Sequence, residues 1–343
     1  MNAAVTQLPA AVFAHLSSIT DRHGVFEHAE FRTPRIAHGY CTDDVARALT
    51  VVVREPGDDP ELERLTEIYL TFLEGAIDPD GGARNRMSVD GRWTDEPTTD
   101  DCWGRAVGGL GAAARFARSA LVRDRASRGF FRAARGRTRD VRSAAFAAIG
   151  AADVLRARPD DEVARALLVD CLARVPTQAT AAWGWPEPRL RYANATLCDA
   201  LIVGGAALDG PMILARGLGM LSTLLEIETG PSGHLSLTGT AGRSAGESGP
   251  LWDQQPIEAA AIADACAHAR EITGDPSWAA GVDLAWDWFS GRNDAEAVLY
   301  DPLTGAGHDG IHPGGRNENC GAESTLAALG TLQRAHACAS FLP

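Results

Sequence analysis

The stretch HDGIHPGGRNENCGAESTLAAL, residues 308–329, decides how the rest of the chain is read. Its first half is too rich in Gly and Pro for regular structure, and from Glu323 onward apolar residues recur at helical spacing. The polar side chains of Arg316, Asn317, Glu318, Asn319 and Glu323 collect where loop gives way to helix. A polar loop emptying into an Ala- and Leu-rich helix is therefore the unit to look for elsewhere.

Working outward, that unit recurs five times upstream. Residues 21–40 lead into CTDDVARALTVVV, and residues 78–101 into CWGRAVGGLGAAARFA, both through Thr-Asp-Asp. A third copy starts near Arg139 with almost no loop, a fourth occupies 183–208 and a fifth 232–269. Amphipathic segments follow several of them, at 60–76, 163–175, 211–226 and 278–289. The loop–helix junctions lie near Asp43, Asp100, Arg139, Asn194, Asp253 and Asn317, spaced by 57, 39, 55, 59 and 64 residues. Each interval holds roughly two helices and a loop. The pattern predicts an all-α (α/α)6 toroid, one domain over 1–343, with small-residue helices inside and amphipathic ones outside. An open solenoid would show more uniform repeats and shorter loops.

Composition narrows the function classes. The chain is 45% hydrophobic and 22% charged, as expected for a soluble globular protein. Its net charge is −13 and every basic residue is Arg, which argues against nucleic acid as a partner. No apolar run reaches membrane-spanning length and the N-terminus lacks a basic leader region, so a cytoplasmic location without membrane attachment is expected. Seven cysteines with no CxxC pair read as small buried packing residues; neither a metal nor a cofactor is expected.

With its loops rich in Trp, Asp and Glu ahead of the inner helices, the chain resembles the six-hairpin glycosidase superfamily. More narrowly, HGYCTDDVARAL, TTDDCWGRAVGGL, WDQQPIEAAAIADA and NENCGAESTLAAL resemble a bacterial domain found alone or beside retaining glycosyltransferase domains. The resemblance implies a saccharide ligand and admits hydrolysis, phosphorolysis, epimerisation or binding alone. It also admits a glycan-binding accessory role beside a separately encoded glycosyltransferase. No glycosyltransferase pattern of strands, helices and phosphate loop occurs in this chain.

The residues themselves suggest chemistry at the ring's mouth. Glycoside cleavage needs two carboxyl groups flanking the scissile bond. Asp43, Asp44, Asp100, Asp101, Asp253, Glu258, Glu318 and Glu323 all fall at helix starts, with Glu247 on a nearby Gly-rich loop. Asp43 and Asp100 also suit helix capping, whereas Asp44 and Asp101, one position further in, are expected to face the ring. The expected mechanism is an inverting glycoside hydrolase or phosphorylase. Glu318 serves as general acid, desolvated by its loop; Asp44 or Asp101 serves as base, kept ionised by the helix N-terminus; Asp253 is held in reserve. Tyr40, Trp103, Trp185, Tyr192 and Trp252 are candidate sugar-stacking rings. Asn194, Gln254, Gln255, His308, Arg316, Asn317 and Asn319 are candidate hydroxyl contacts. Arg105, Arg189 and Arg191, with Arg316, suit a carboxylate, phosphate or sulfate on the sugar. His308 and His312 would instead suit an epimerase that moves a proton beside a carbonyl.

Overall fold

A computed structural model describes residues 8–180 and 183–340. Six helices form an inner ring: α2 (Thr42–Arg54), α4 (Asp101–Phe116), α6 (Val141–Ala157), α8 (Asn194–Ala207), α10 (Pro256–Thr273) and α12 (Ala322–Ala339). Each packs on the next, and α12 packs back on α2, so the ring closes. Five outer helices alternate with them: α3 (Pro60–Ala76), α5 (Ala120–Ala133), α7 (Glu162–Leu172), α9 (Pro211–Glu228) and α11 (Ala279–Phe289). The sixth outer position goes to the short α1 (Ala14–Ser18), which packs on α12 and joins the two ends of the chain. His15 strengthens that seam through a 2.9 Å contact between its Nε2 and the Cys320 carbonyl. The observed architecture is the (α/α)6 toroid.

Small residues make the inner ring possible. A Cβ on Gly111 of α4 would lie 2.3 Å from the Gly150 carbonyl of α6, closer than any side chain tolerates. The outer helices bury one face instead, as α3 does with Leu62, Leu65, Tyr69, Leu70, Phe72 and Leu73. All seven cysteines are buried and unpaired. Strand structure among the described residues is confined to four two-stranded antiparallel ribbons in the loops. One of them, Ile311–His312 with Gly315–Arg316, lies within residues 308–329.

Side-chain capping is commoner on the outer helices, three of five, than on the inner ones. The side chains of Asp59, Ser119 and Asp161 accept the first free N–H groups of outer helices α3, α5 and α7. Among the inner helices only α6 is capped in this way, by Asp140 accepting from Ser143 at 2.8 Å. The capping expected of Asp43 and Asp100 is not found. Asp43 lies inside α2, and Asp100 holds the N-cap position of α4 without a side-chain bond. The mouth carboxylates are thereby left for other work.

Candidate active site

The loops preceding the inner helices open on one side of the ring and surround a mouth cavity. Its wall includes Asp43, Asp101, Glu258 and Glu323, the arginines Arg47, Arg105 and Arg191, and Tyr192, Gln255 and the turn Thr238–Gly242. Below it an axial shaft runs between the inner helices, lined by small and apolar residues together with charged ones such as Arg54, Asp153, Asp199 and Asp264. Arg47, Arg105 and Ile257 border both spaces and so mark the neck between them.

Helical phase decides which residues reach the axis. On α2 the shaft is lined by Ala46, Arg47, Thr50, Val51 and Arg54, and on α4 by Arg105, Gly108, Gly109 and Ala112. Asp43 lies one turn before Arg47, and Asp101 one turn before Arg105, so both sit on the axial face. Asp44 is turned about 100° away. It is buried, bonded to Arg47 and accepts the Cys41 thiol at 3.1 Å. Burial lifts its pKa to about 7, outweighing the helix N-terminus that was expected to keep it ionised.

Glu258 is the most perturbed carboxyl of the mouth. It occupies the third position of α10, where the helix dipole favours charge, yet burial and the neighbouring Glu228 raise its pKa to about 8. Its Oε1 accepts the Ala193 N–H at 2.5 Å, while Oε2 has only two 3.4 Å contacts with Asn194. Ala193 adopts a left-handed conformation (φ 48°) that non-glycine residues rarely take, and the Glu258 carboxyl ties down its N–H. Behind this wall Arg142 grips Glu187 through two bonds and donates to the carbonyl of Tyr192 at 3.1 Å. Tyr192, so placed, donates its hydroxyl to Asp101, whose pKa burial raises. Arg47 bridges Asp44 and Glu323, joining α2 to α12.

The structure sorts the expected site residues. Asp101, Tyr192 and Gln255 line the mouth, and fully buried Asn194 stands behind it, bonded to Glu258, Arg142 and the Arg191 N–H. Glu318 was expected to be desolvated; it is instead 55% exposed and paired with Arg316 at 3.0 Å, which lowers its pKa. Asp253 is exposed, in a left-handed turn (φ 60°), and its carbonyl accepts from Thr240. The rings of Trp103, Trp185 and Tyr40 are fully buried, donating to the Ala133 carbonyl, Glu187 and Asp21 respectively. Trp252 packs half-buried on the core, and Gln254 is buried among Leu237, Trp288 and Asp294. His308 contacts the Asn317 carbonyl, Asn317 accepts from the Asn319 N–H, and Asn319 accepts from the Phe31 N–H. Arg316 also donates to the Val298 carbonyl. Residues 308–319 thus bond loop to loop, and none of them lines the mouth or the shaft.

Sequence reasoning overlooked Arg47, Phe146 and the Thr238–Gly242 turn. Arg47 was discoverable, standing three residues after Asp44 and four after Asp43 on one helix. The turn carried no such signal. One group, half-buried Glu27 with buried Cys41 and Asp44, brings three possible metal-ligating atoms within 4.8 Å. Burial holds the Cys41 thiol protonated, and Arg86 and Arg47 already occupy the two carboxylates.

No family model matches the chain, and no curated protein is similar to it in sequence. Solved structures do match in fold. A sugar epimerase from a ruminal bacterium superposes with a TM-score of 0.74 at 12% identity, over 98% of this chain and 97% of the other. The cellobiose 2-epimerase of Bacillus thermoamylovorans gives 0.67 at 11% identity, over 94% and 96%. An inactive variant of a Salegentibacter α-1,6-mannanase, with two consecutive aspartates changed to alanine, was solved with α-1,6-mannotetrose. It gives 0.65 at 11% identity, over 95% and 96%. The shared fold is the (α/α)6 toroid, and at this identity the likeness speaks for fold alone. No helix among the described residues is long and apolar enough to cross a membrane.

Proposed function

We propose that the mouth is the active site of a saccharide-cleaving enzyme, with Glu258 as general acid and Asp101 as the carboxylate on the base side. The observation that carries this is the pairing of two carboxyls that burial treats differently. Glu258 has its pKa raised to about 8, while at Asp101, facing the same cavity, the Tyr192 hydroxyl works against the rise that burial causes. Near neutral pH Glu258 keeps its proton, and the weakly bonded Oε2 is the oxygen to carry it. Donation to the glycosidic oxygen turns a poor leaving group into a neutral alcohol as the bond to the anomeric carbon breaks.

α4 and α10 stand on opposite sides of the six-helix ring. That placement favours inversion, in which roughly 6.5–9.5 Å separates the two carboxyls and water or phosphate attacks from the far face. The acid role expected of Glu318 moves to Glu258. The fold neighbours are sugar epimerases and a mannanase, which supports a saccharide as the ligand. The mannanase variant, inactive after loss of two consecutive aspartates, gives weight to Asp43–Asp44 and Asp100–Asp101 as places to look for function.

Epimerisation is the second reading, favoured by the closeness of the epimerase folds. It lacks its expected base, since no histidine lines the mouth or the shaft. The experiment is a turnover screen over α- and β-linked oligosaccharides, with and without phosphate, following the product anomer by NMR. Glu258→Gln and Asp101→Asn are expected to lose about 10²–10⁴-fold in kcat. Near-parental rates in both folded variants would defeat the assignment. Epimerised product would move it to the second reading. Binding without any turnover would make the protein a glycan-binding accessory of the kind that works beside a glycosyltransferase.

A further inference from the structure

The neck between mouth and shaft holds an arginine whose partners do not account for it. Arg105 has only 9% of its side chain exposed, and its single ionic partner is the Asp43 carboxylate at 3.4 Å, outside a good hydrogen bond. Its guanidinium makes no hydrogen bond among the described residues, although it carries five N–H donors. Phe146 fixes its plane by stacking, with the guanidinium carbon 4.0 Å from the ring centroid. The facing edge is left open to both cavities.

The surroundings do not satisfy it either. Arg47 spends its terminal nitrogens on Asp44 and Glu323, and its Nε is buried without a partner. Exposed Arg191 lines the mouth with no side-chain bond among the described residues. Against these three cations stand Asp43, Asp101 and Glu323, with Asp44, whose pKa burial raises to about 7, paired to Arg47 behind them; Glu258 is largely protonated near neutral pH. The mouth is thus close to charge balance in a chain of net charge −13. Burial and the nearby Arg47 also push the Arg105 pKa down, a cost that a bound anion would reverse. A buried, ring-stacked, unbonded guanidinium is a receptor for a bidentate oxygen anion.

We infer that the neck takes an oxyanion, gripped by Arg105 with Arg47 and Arg191 beside it, so that the saccharide reaction in the mouth uses a negatively charged reactant. The inference rests on the reading of the mouth as a saccharide site. Two sources share this chemistry. One is an anionic group on the sugar, such as a uronate carboxylate or a phosphate ester. The other is inorganic phosphate as the attacking group. In that case a phosphate oxygen bonds to the anomeric carbon as the glycosidic C–O bond breaks, and the Glu258 proton goes to the departing oxygen. The products are a sugar 1-phosphate and a free alcohol.

Calorimetric titration of the intact protein with sodium phosphate, glucuronate, glucose 6-phosphate and neutral glucose separates these cases. At least one anion is expected to bind. Its affinity should fall about 10–100-fold in Arg105→Gln, the worth of a hydrogen bond to a charged group, while any glucose binding is unchanged. Arg105→Lys should recover part of the loss, and Arg191→Gln, at an exposed site, should cost about 2–5-fold. Glu258→Gln should retain anion binding even though it stops turnover, which separates this inference from the catalytic assignment. Preference for phosphate alone identifies the free ion, and preference for the charged sugars identifies the substrate's own group. The inference is overturned if no anion binds the parent, or if folded Arg105→Gln, judged by its melting curve, binds as tightly as the parent. It is also overturned if Arg105→Gln cleaves its glycan at the parental rate.

Discussion

Glu258 and Glu318 both stand at the entrance to an inner helix, yet their surroundings drive them apart. Glu258 is closed in by the left-handed turn at Ala193 and by Asn194, and its pKa rises to about 8. Glu318 lies on an open loop, is matched by Arg316 two residues away, and has its pKa lowered. Each follows a loop that carries side-chain amides, Gln254 and Gln255 before Glu258 and Asn317 and Asn319 around Glu318, so the linear sequence does not say which is desolvated. What differs is whether a neighbouring hairpin folds over the carboxyl. Here the adjacent repeat makes the perturbed carboxyl: α8 and its loop desolvate a residue that belongs to α10.

The strongest expected consequence concerns pH and rate. If Glu258 donates the proton, kcat should be flat up to about pH 8 and then fall about tenfold per pH unit. A profile of kcat from pH 5 to 10 checks this. A basic limb that begins near pH 5 instead would point to an ordinary exposed carboxyl and break the contrast with Glu318.

A second consequence is thermodynamic. The folded-state pKa values of Glu258 and Asp44, about 8 and about 7, lie above the unfolded values, so the folded state binds protons more tightly. Their contribution is fully present below about pH 4 and is lost as pH rises through the folded values. Each group contributes a slope of up to about −1.4 kcal/mol per pH unit within its window. Urea unfolding at several pH values between 5 and 8.5 should show declining stability, and Glu258→Gln and Asp44→Asn should each flatten the decline. An unchanged slope in both variants would mean that neither carboxyl is desolvated as described.

The far end of the shaft offers a buried polar pair without a part in the proposed reaction. Arg334 approaches His268 Nε2 at 2.9 Å as a donor, which leaves the ring proton on Nδ1, donated to Asp199 at 2.7 Å. Both side chains are buried. Asp199→Ala should cost about 1–3 kcal/mol of unfolding free energy by leaving that N–H without an acceptor. A loss below 0.5 kcal/mol would show that water enters the shaft and replaces the carboxylate.

Much of the architecture was legible because the toroid repeats its grammar. The six junctions fell within five residues of the inner-helix starts, and 60–76 coincided with α3. Part of the mouth's lining was legible too, since Asp101, Tyr192, Gln255, Glu258, Glu323 and the arginines Arg105 and Arg191 all reach it. Helical phase was available but misapplied on α2. Asp43 shares the axial stripe with Arg47, Thr50 and Arg54, while Asp44 stands about 100° away. The tryptophans misled for a different reason. A Trp in a loop has enough apolar surface to anchor that loop, and Trp103 and Trp185 spend theirs in the core. Nothing in the linear sequence said that residues 238–242 would fold over the mouth while residues 308–319 bonded to other loops. That choice depends on contacts between repeats.

The smallest expected effect is the most direct test of the comparison. Glu318→Gln removes one partner of an exposed ion pair with Arg316, and such pairs contribute about 0–1 kcal/mol. Stability should change by less than about 0.5 kcal/mol, and kcat by no more than about twofold, because the carboxyl lines neither cavity. Side-by-side kinetics of Glu318→Gln and Glu258→Gln on one glycan make the measurement. A hundredfold loss in Glu318→Gln would mean that the loop of residues 308–319 closes on the substrate. It would also mean that the Arg316 pair is an open-state contact, broken when the loop moves. The acid would then be supplied by the loop that first drew attention in the sequence, and Glu258 would be left with the task its short bond to Ala193 already performs, holding the entrance to α8 in place.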